Sequence, residues 1–447
     1  MRLVHPARAQ GKKIVVIVGG GFAGLNAAMA LSEKPEVFVI LIDQRNHHLF
    51  QPLLYQVATA GLNPGDIAVP IRAQFSDISN VEVHWGSIES VNLAEKFIAG
   101  PDVEIDYDSL ILACGAQHSY FAHPEWEPFA PGLKTLEQAT EIRRRILTAF
   151  ELAENETDPD KQSALLNFVV VGGGATGVEL AGAIADISRT VLVDDFKRID
   201  PERAKIVLVE AGPRLMAAFA PELSARTKDD LEELGVEVRL NGRVEKIDAT
   251  GVTIGAEFIP STSVFWGAGV AARKLNFVGG DVPLDRAGRV IVESDLSLKA
   301  SPDVFVIGDM AAVPWLKAPT PGQIVPGLAP AAIQEGKHAA KNILASLAAN
   351  VAARSGSTVS ASRKRRDFVY VDKGMMATIG KHRAVLQAGN FKMGGYLAWL
   401  AWLFVHIFYL IGFRNRVAVM SNWVWNYMFS KRGARLMTDR HWELKTK

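Results

Sequence analysis

A chain of 447 residues with 49 Lys+Arg against 48 Asp+Glu, a formal net charge of +1, has no overall field to draw it to nucleic acid. The length allows two or three domains with full cores, so stability requires neither disulfides nor a structural metal. A single cysteine excludes a disulfide framework, a CxxC redox pair and a cysteine-rich zinc or iron–sulfur site, and a 49% hydrophobic content raises the question of where the excess lies.

Residues 1–13 are basic but hold no apolar run of signal-peptide kind, so a reducing, cytosolic compartment is expected. Residues 14–18 (IVVIV) are too short for a helix and bounded by glycine, which predicts a buried parallel strand. The motif Gly19-Gly20-Gly21-Phe22-Ala23-Gly24 follows and opens a helix over 25–31. In such a motif Gly19 makes the tight turn, Gly21 admits a pyrophosphate to the backbone and Gly24 lets helix and strand approach. The helix N-terminus supplies free N–H groups to the phosphates. Asp43 closes the next strand, 37–42, where a carboxylate is expected to hold a ribose hydroxyl pair. His47 and His48 are adjacent, so in extended chain they face opposite ways, and no further ligands stand at metal spacing. Their role is read as structural. Cys114, at the end of 111–115 (ILACG), has no partner thiol and reads as a small buried residue beside the cofactor.

The pattern repeats about 150 residues later, with the strand 168–171 (FVVV) followed by Gly172-Gly173-Gly174-Ala175-Thr176-Gly177. Glu210 ends the following strand, 206–209. A carboxylate there accepts from a ribose 2′-hydroxyl and repels a 2′-phosphate, which predicts NADH over NADPH, although the nearby Arg214 is of a type that receives phosphate. Trp266, ahead of Gly267-Ala268-Gly269, reads either as a neighbour of the nicotinamide path or as a core residue. A late strand, 304–307, leads into Gly308-Asp309. Residues 346–366 are Ala/Ser-rich and end in Arg363, Lys364, Arg365 and Arg366, an exposed linker with a solvated basic run. Residues 393–413 hold no formal charge except on His406 if protonated, and are long enough to be a transmembrane candidate. Beyond Arg414 and Arg416, residues 417–429 place Asn422, Asn426 and Ser430 four apart, a polar stripe on an apolar helix, with Lys431, Arg432 and Arg435 following. Trp-rich helices with basic flanks fit a hairpin lying in the membrane interface. A hydrophobic dimer interface is the competing reading, and the two are compatible. The expected fold is α/β: two Rossmann-like dinucleotide-binding domains plus a C-terminal amphipathic helical membrane-anchoring region.

The order of the two glycine motifs, 111–115 and Gly308-Asp309 resembles the two-dinucleotide-binding-domain flavoprotein reductases. Residues 47–58 (HHLFQPLLYQVA), 175–180 (ATGVEL), 328–336 (LAPAAIQEG) and the Trp-rich tail narrow the likeness to the bacterial type II NADH:quinone oxidoreductases, over nearly the whole chain. The resemblance implies that Gly19, Gly21, Gly24, Asp43, Gln51, Gln56, Ala113, Gly115 and Asp309 surround FAD, Asp309 touching the ribityl chain. It implies that Gly172, Gly174, Gly177, Glu210 and Trp266 serve NADH, and that Glu179, Gln334 and Lys373 are catalytic. Glu179 would lie near the nicotinamide–quinone boundary, guiding protons or positioning substrate, against the plainer reading of a first-turn glutamate satisfying its helix. Gln334 would bond a quinone carbonyl or the flavin edge, and Lys373 would stabilise negative charge on reduced flavin or quinone. One departure stands out: the family's quinone-site motif begins Ala-Gln and ends in Gln, whereas here Ala329-Pro330 precede Gln334.

The implied organisation is an FAD-binding domain over 1–125 and 281–345, a connecting helical segment over 126–164, an NADH-binding domain over 165–280, the linker 346–366, and a membrane-association and dimerisation region over 367–447. The implied activity is FAD-dependent oxidation of NADH with two-electron reduction of a membrane quinone and no proton pumping, by a homodimer bound peripherally to the cytoplasmic face. Two rivals are a soluble NADH-dependent reductase of a small electron-carrier protein and an NADH-sensing flavoprotein.

Overall fold

The structure, a computed structural model, describes residues 2–3, 5–101, 103–355, 364–429 and 432–437. Ser430, Lys431 and residues 356–363 of the expected linker, Arg363 among them, fall outside them. The chain forms two compact units, one of Met1–His48, Val69–Gln117 and Val270–Lys373, the other of Leu49–Ala68, His118–Gly269 and Gly374–Lys447. The helices that matter for the site are α1 (Phe22–Leu31), α2 (Ala175–Asp186), α3 (Ala329–Ser355), α4 (Tyr396–Tyr409) and α5 (Phe413–Phe429).

The first unit is built on a sheet ordered Ser297–Leu298, Ser301–Val306, Ser109–Leu112, Lys13–Val18, Val37–Asp43 and Val81–Trp85, parallel except for its first, two-residue strand. Ile14, Val15, Val16 and Ile17 are wholly buried. A central strand covered on both faces has to be apolar throughout, which is why the run read so clearly. Helix α3 packs directly on α1: a Cβ on Gly336 would lie 2.1 Å from the Ala23 carbonyl oxygen. Pro330 stands in the first turn of α3, where a helix N–H has no partner to lose, so the departure from the family motif costs the helix nothing. The expected linker is corrected in two places. Alanine-rich sequence carries α3 on to Ser355, as the best helix former should. At the far end Arg365 is not solvated freely: it pairs with Asp295 at 2.6 Å and lies over the Phe305 ring.

The second unit holds a parallel sheet ordered Val236–Arg239, Lys205–Val209, Asn167–Val171 and Ser263–Trp266. It also holds an antiparallel sheet of Met375–Gly380, Arg383–Ala388 and Phe391–Gly394 that the sequence reading did not anticipate. Helix α2 sits hard against this small sheet, since a Cβ on Gly182 would fall 1.6 Å from the Ile379 carbonyl oxygen.

The apolar C-terminus breaks where the sequence suggested a continuous span. Met393 and Gly394 are strand, α4 covers only 14 residues, roughly 21 Å against a hydrocarbon core of roughly 30 Å, and the chain turns before α5. No helix among the described residues is long and apolar enough to cross a membrane. The polar stripe of α5 faces inward rather than toward water. Asn415 donates to the carbonyls of Gly65 and Ala68, Asn422 to Asp66, Asn426 to the Gly61 carbonyl, and the Trp423 indole to Gln56. What faces outward is apolar: Leu397, Leu400, Phe404 and Phe408 on α4, and Phe413, Val417, Met420, Val424 and Met428 on α5. Part of the basic flank is also tied to the protein, although Arg414 and Arg416 remain exposed. Arg432 donates to the Thr59 carbonyl, Arg435 pairs with Asp195, and Arg416 satisfies the Leu410 and Phe408 carbonyls at the end of α4.

Candidate functional site

Each glycine motif folds into the same cradle. Gly19 has φ +106° and Gly172 has φ +110°, left-handed values that favour glycine, and a Cβ there would lie 2.3 Å from the Ala113 oxygen or 2.6 Å from the Ala268 nitrogen. Gly24 and Gly177 let the helix approach, a Cβ falling 1.8 Å from the oxygen of Gly19 or Gly172. Gly21 and Gly174, by contrast, have open space where a Cβ would stand. They cap the N-termini of α1 and α2 without a side chain, so the free N–H groups and the positive end of each helix dipole face that space. The carboxylates arrive as expected. Asp43 accepts from Gly20 N–H at 2.6 Å and from Arg45 N–H, and Glu210 accepts from Gly173 and Gly212 N–H at 2.6 Å each. Two cradles open at the middle glycine, each with its acid, fit two dinucleotides.

In the first unit the cradle is extended by two cavities. One of about 50 Å³ is lined by Gly19, Asp43, Gln44, Ser87, Cys114 and Arg273. A larger one, about 260 Å³, is lined by Gly308, Asp309, Leu328, Ala332 and Glu335 among others. Ala113 bonds Val18 beneath the Gly19 turn, and Gly115 accepts from Arg273 N–H. These residues suit FAD, with Asp309 in the wall of the larger cavity. His48 is buried and burial keeps it neutral, so its Nδ1–H donates to the Gly20 carbonyl and braces the loop. Burial pushes the Cys114 thiol up to about 12, which leaves it inert. Arg273 was missed by sequence reasoning. Its guanidinium donates to Gln44 at 2.7 Å, and no local motif marks it because Gln44 lies more than two hundred residues away.

In the second unit Glu179 lies on α2, one turn past the cradle, in a cavity of about 50 Å³ with Tyr55, Gln56, Thr378, Lys381, Trp423, Tyr427 and Arg432. Burial raises its carboxyl to about 8, against the pull of a hydrogen bond from the Thr378 backbone. It is therefore a carboxylic acid at neutral pH, not an ionised helix cap. Gln56 is buried, donating to the Tyr55 hydroxyl and accepting from the Trp423 indole. Gln51 reaches the Lys134 carbonyl. Both glutamines belong to the second unit, so the flavin contacts expected of them gain no support from the geometry of the first.

Two further residues of the expected site turn their polar groups to the main chain. Trp266 is a core residue, 2% exposed, its indole bonded to the Ser119 carbonyl and its ring packed on Tyr120, Phe121 and Trp126. Gln334 spends both ends of its amide on the main chain, donating to the Pro330 and Val371 carbonyls and accepting from Val371 N–H. It fastens the chain before Lys373 to α3, and Lys373 itself is exposed at the end of the first unit. Among the described residues no group of three His, Cys, Asp or Glu could hold a metal.

The family model described as pyridine nucleotide-disulphide oxidoreductase matches residues 13–336, and one described as NDH2 C-terminal domain matches residues 373–432. Two curated proteins of Mycobacterium tuberculosis, the type II NADH:quinone oxidoreductases NdhA and Ndh, are each 41% identical to this chain. The alignments cover 98% and 95% of it, and 92% and 90% of the relatives. The solved structure of NDH2 from Plasmodium falciparum in complex with NADH has a TM-score of 0.82 at 20% identity, covering 96% of this chain and 100% of that one, a likeness of fold.

Proposed function

We propose an assignment of residues to a known reaction, since the chain belongs to the type II NADH:quinone oxidoreductases: it is an FAD enzyme that oxidises NADH and reduces a quinone. FAD, when bound, would supply the redox chemistry that links two-electron oxidation of NADH to two-electron reduction of the quinone. The protein's part is to bind, orient and handle protons. The first unit's cradle, Gly19, Gly21, Gly24, Asp43, Ala113, Gly115 and Asp309, holds FAD. The second unit's cradle, Gly172, Gly174, Gly177 and Glu210, holds NADH. The observation that carries this is the doubled cradle: one chain, two helix N-termini open at the middle glycine, each facing its own acid. Glu179 keeps a proton at neutral pH and is the acid we assign to the quinone oxygens, with Lys373 and Gln334 retained only as electrostatic and structural support for that end of the reaction. Anaerobic NADH should bleach the flavin spectrum, and a short-chain quinone should restore it. Bleaching without recovery would favour a protein acceptor or a sensor.

The nicotinamide preference follows from Glu210. Arg214, the one residue that argued for a phosphate, donates its guanidinium to the Phe219 and Ala217 carbonyls. NADH is thus expected to outcompete NADPH, and Glu210→Ala should raise the KM for NADH about tenfold, the worth of a charge-assisted hydrogen bond, while narrowing the preference. Steady-state kinetics with both nucleotides would reveal a wrong assignment as an unchanged ratio.

The inverted polarity of α4 and α5 supports peripheral, monotopic attachment, with quinone drawn from the leaflet; the cytoplasmic face rests on the family resemblance. A helix that gives its asparagines to the protein and its phenylalanines to the outside is built for an apolar medium. Phe404→Asp with Phe408→Asp should cut binding to phospholipid vesicles by more than about a hundredfold, each phenylalanine contributing roughly 1.5–3 kcal/mol when buried. Unchanged co-sedimentation would refute the anchor. No step in this scheme moves a proton across the membrane. The homodimer rests on the family resemblance and is tested by analytical ultracentrifugation in detergent.

A further inference from the structure

Glu335 has no part in the scheme above, yet it is a buried carboxyl in the wall of the first unit's cavity of about 260 Å³. It is 3% exposed, and its Oε2 accepts from Gly308 N–H at 2.6 Å. Gly308 has φ +71°, in the left-handed region, and starts the 3-10 turn that carries Asp309. The space around it is not the constraint, since a Cβ there would meet Ala23 at an ordinary 3.4 Å. The conformation is what must be held, and the contact that holds the Gly308 N–H is Glu335. Gly308, Asp309 and Glu335 all line the same cavity of about 260 Å³.

We propose that Glu335 is a positioning residue for FAD: it fixes the Gly308–Asp309 turn against the cavity, and its ionisation ties the flavin's reduction potential to pH. The inference rests on the reading of this cavity as the flavin's. The charged and titratable groups around Glu335 leave it free to ionise in the working range. Helix α1 contributes none. The turn contributes Asp309, which opposes a second negative charge, and the cavity wall contributes Arg289. The chain before Lys373 contributes the Tyr370 phenol, pushed up to about 12 chiefly by burial and so protonated. Burial first, and Asp309 second, raise the Glu335 carboxyl to about 7 against the Gly308 hydrogen bond. A flavin held in this cavity would gain electron density on reduction, so Glu335 would take a proton from solvent more readily in the reduced enzyme than in the oxidised one.

Two variants separate the parts of the proposal. Glu335→Gln keeps an acceptor for Gly308 N–H but cannot ionise; Glu335→Leu loses both. In fluorescence titrations of FAD into deflavinated full-length protein, Glu335→Leu should bind at least tenfold more weakly than wild type and Glu335→Gln within threefold. In spectroelectrochemical titrations of the FAD-loaded enzyme, the potential of Glu335→Gln should lie above that of wild type by a gap that grows from pH 6 to pH 8. A neutral side chain lacks the charge that lowers the wild-type potential at the alkaline end. Equal FAD affinity of the leucine variant overturns the positioning role. A gap that is the same at pH 6 and pH 8 overturns the coupling, and Glu335→Gln gives that reading even where the leucine variant misfolds. Failure of wild-type protein to rebind FAD would instead remove the cavity assignment on which the inference rests.

Discussion

Gly24→Ala is expected to leave the chain without flavin and with its first unit destabilised by several kcal/mol, whereas Gly21→Ala, three residues earlier, should fold normally and only bind FAD poorly. The difference is geometric. A methyl at Gly24 would stand 1.8 Å from the Gly19 carbonyl oxygen and 3.0 Å from its carbon, so α1 would have to lift off the loop. Such a shift would move α1 away from α3 as well, because Gly336 already rests on Ala23. Gly21 has φ −73°, which any residue adopts, and nothing within 4 Å of the new methyl. The only thing the methyl meets is whatever approaches the helix N-terminus. The pair Gly174→Ala and Gly177→Ala should repeat the contrast in the second unit, Gly174→Ala retaining its FAD but losing NADH affinity at least tenfold. Thermal melts and flavin-to-protein absorbance ratios read all four. Were Gly21→Ala to melt early, or Gly174→Ala to shed its flavin, the cradles would be serving the fold rather than the nucleotides.

Those cradles were legible in the sequence because their physics is local. Strand, turn, helix and acid lie within a few dozen residues, and each glycine answers to one steric demand. The C-terminus was half legible for a related reason. Spacing shows that Asn422 and Asn426 share a face, yet it does not say which medium that face meets. Only the acceptors of residues 61–68, the Asp66 carboxylate and the carbonyls of Gly61, Gly65 and Ala68, more than three hundred positions earlier, turn the stripe inward. The small sheet over 375–394 escaped notice because its cover, α2, comes from elsewhere in the chain. Trp266 and Gln334 show what spacing alone does not reveal. A tryptophan and a glutamine in the right neighbourhood suggest chemistry, but an indole and an amide buried without partners are costly, and here the backbone supplied those partners first. Glu335 carried no sequence signal, being one more helical glutamate until burial and Gly308 distinguish it.

Glu179→Gln should separate the two halves of the reaction. Bleaching of the flavin by NADH needs no proton from Glu179 and should continue at close to the wild-type rate, while turnover with quinone should fall about a hundredfold or more, the usual worth of a positioned general acid. The pH profile gives a second reading. A carboxyl raised to about 8 is in its acid form through neutrality, so wild-type quinone turnover should decline as pH rises through about 8, and the glutamine variant should lose that limb. Stability provides an independent check with a definite sign. The folded-state carboxyl lies above its ordinary value of 4.5, so the folded protein holds a proton that the unfolded chain releases between pH 4.5 and about 8. Stability is therefore full below that window and falls as pH rises through it, by roughly 3 kcal/mol at pH 7. Glutamine has no proton to release, so the variant should match wild type in thermal melts at pH 4 and exceed it by several degrees at pH 8. A variant slower with quinone and equally stable at both pH values would mean that Glu179 is ionised in the working enzyme, and the acid would have to be sought among the other groups of its cavity.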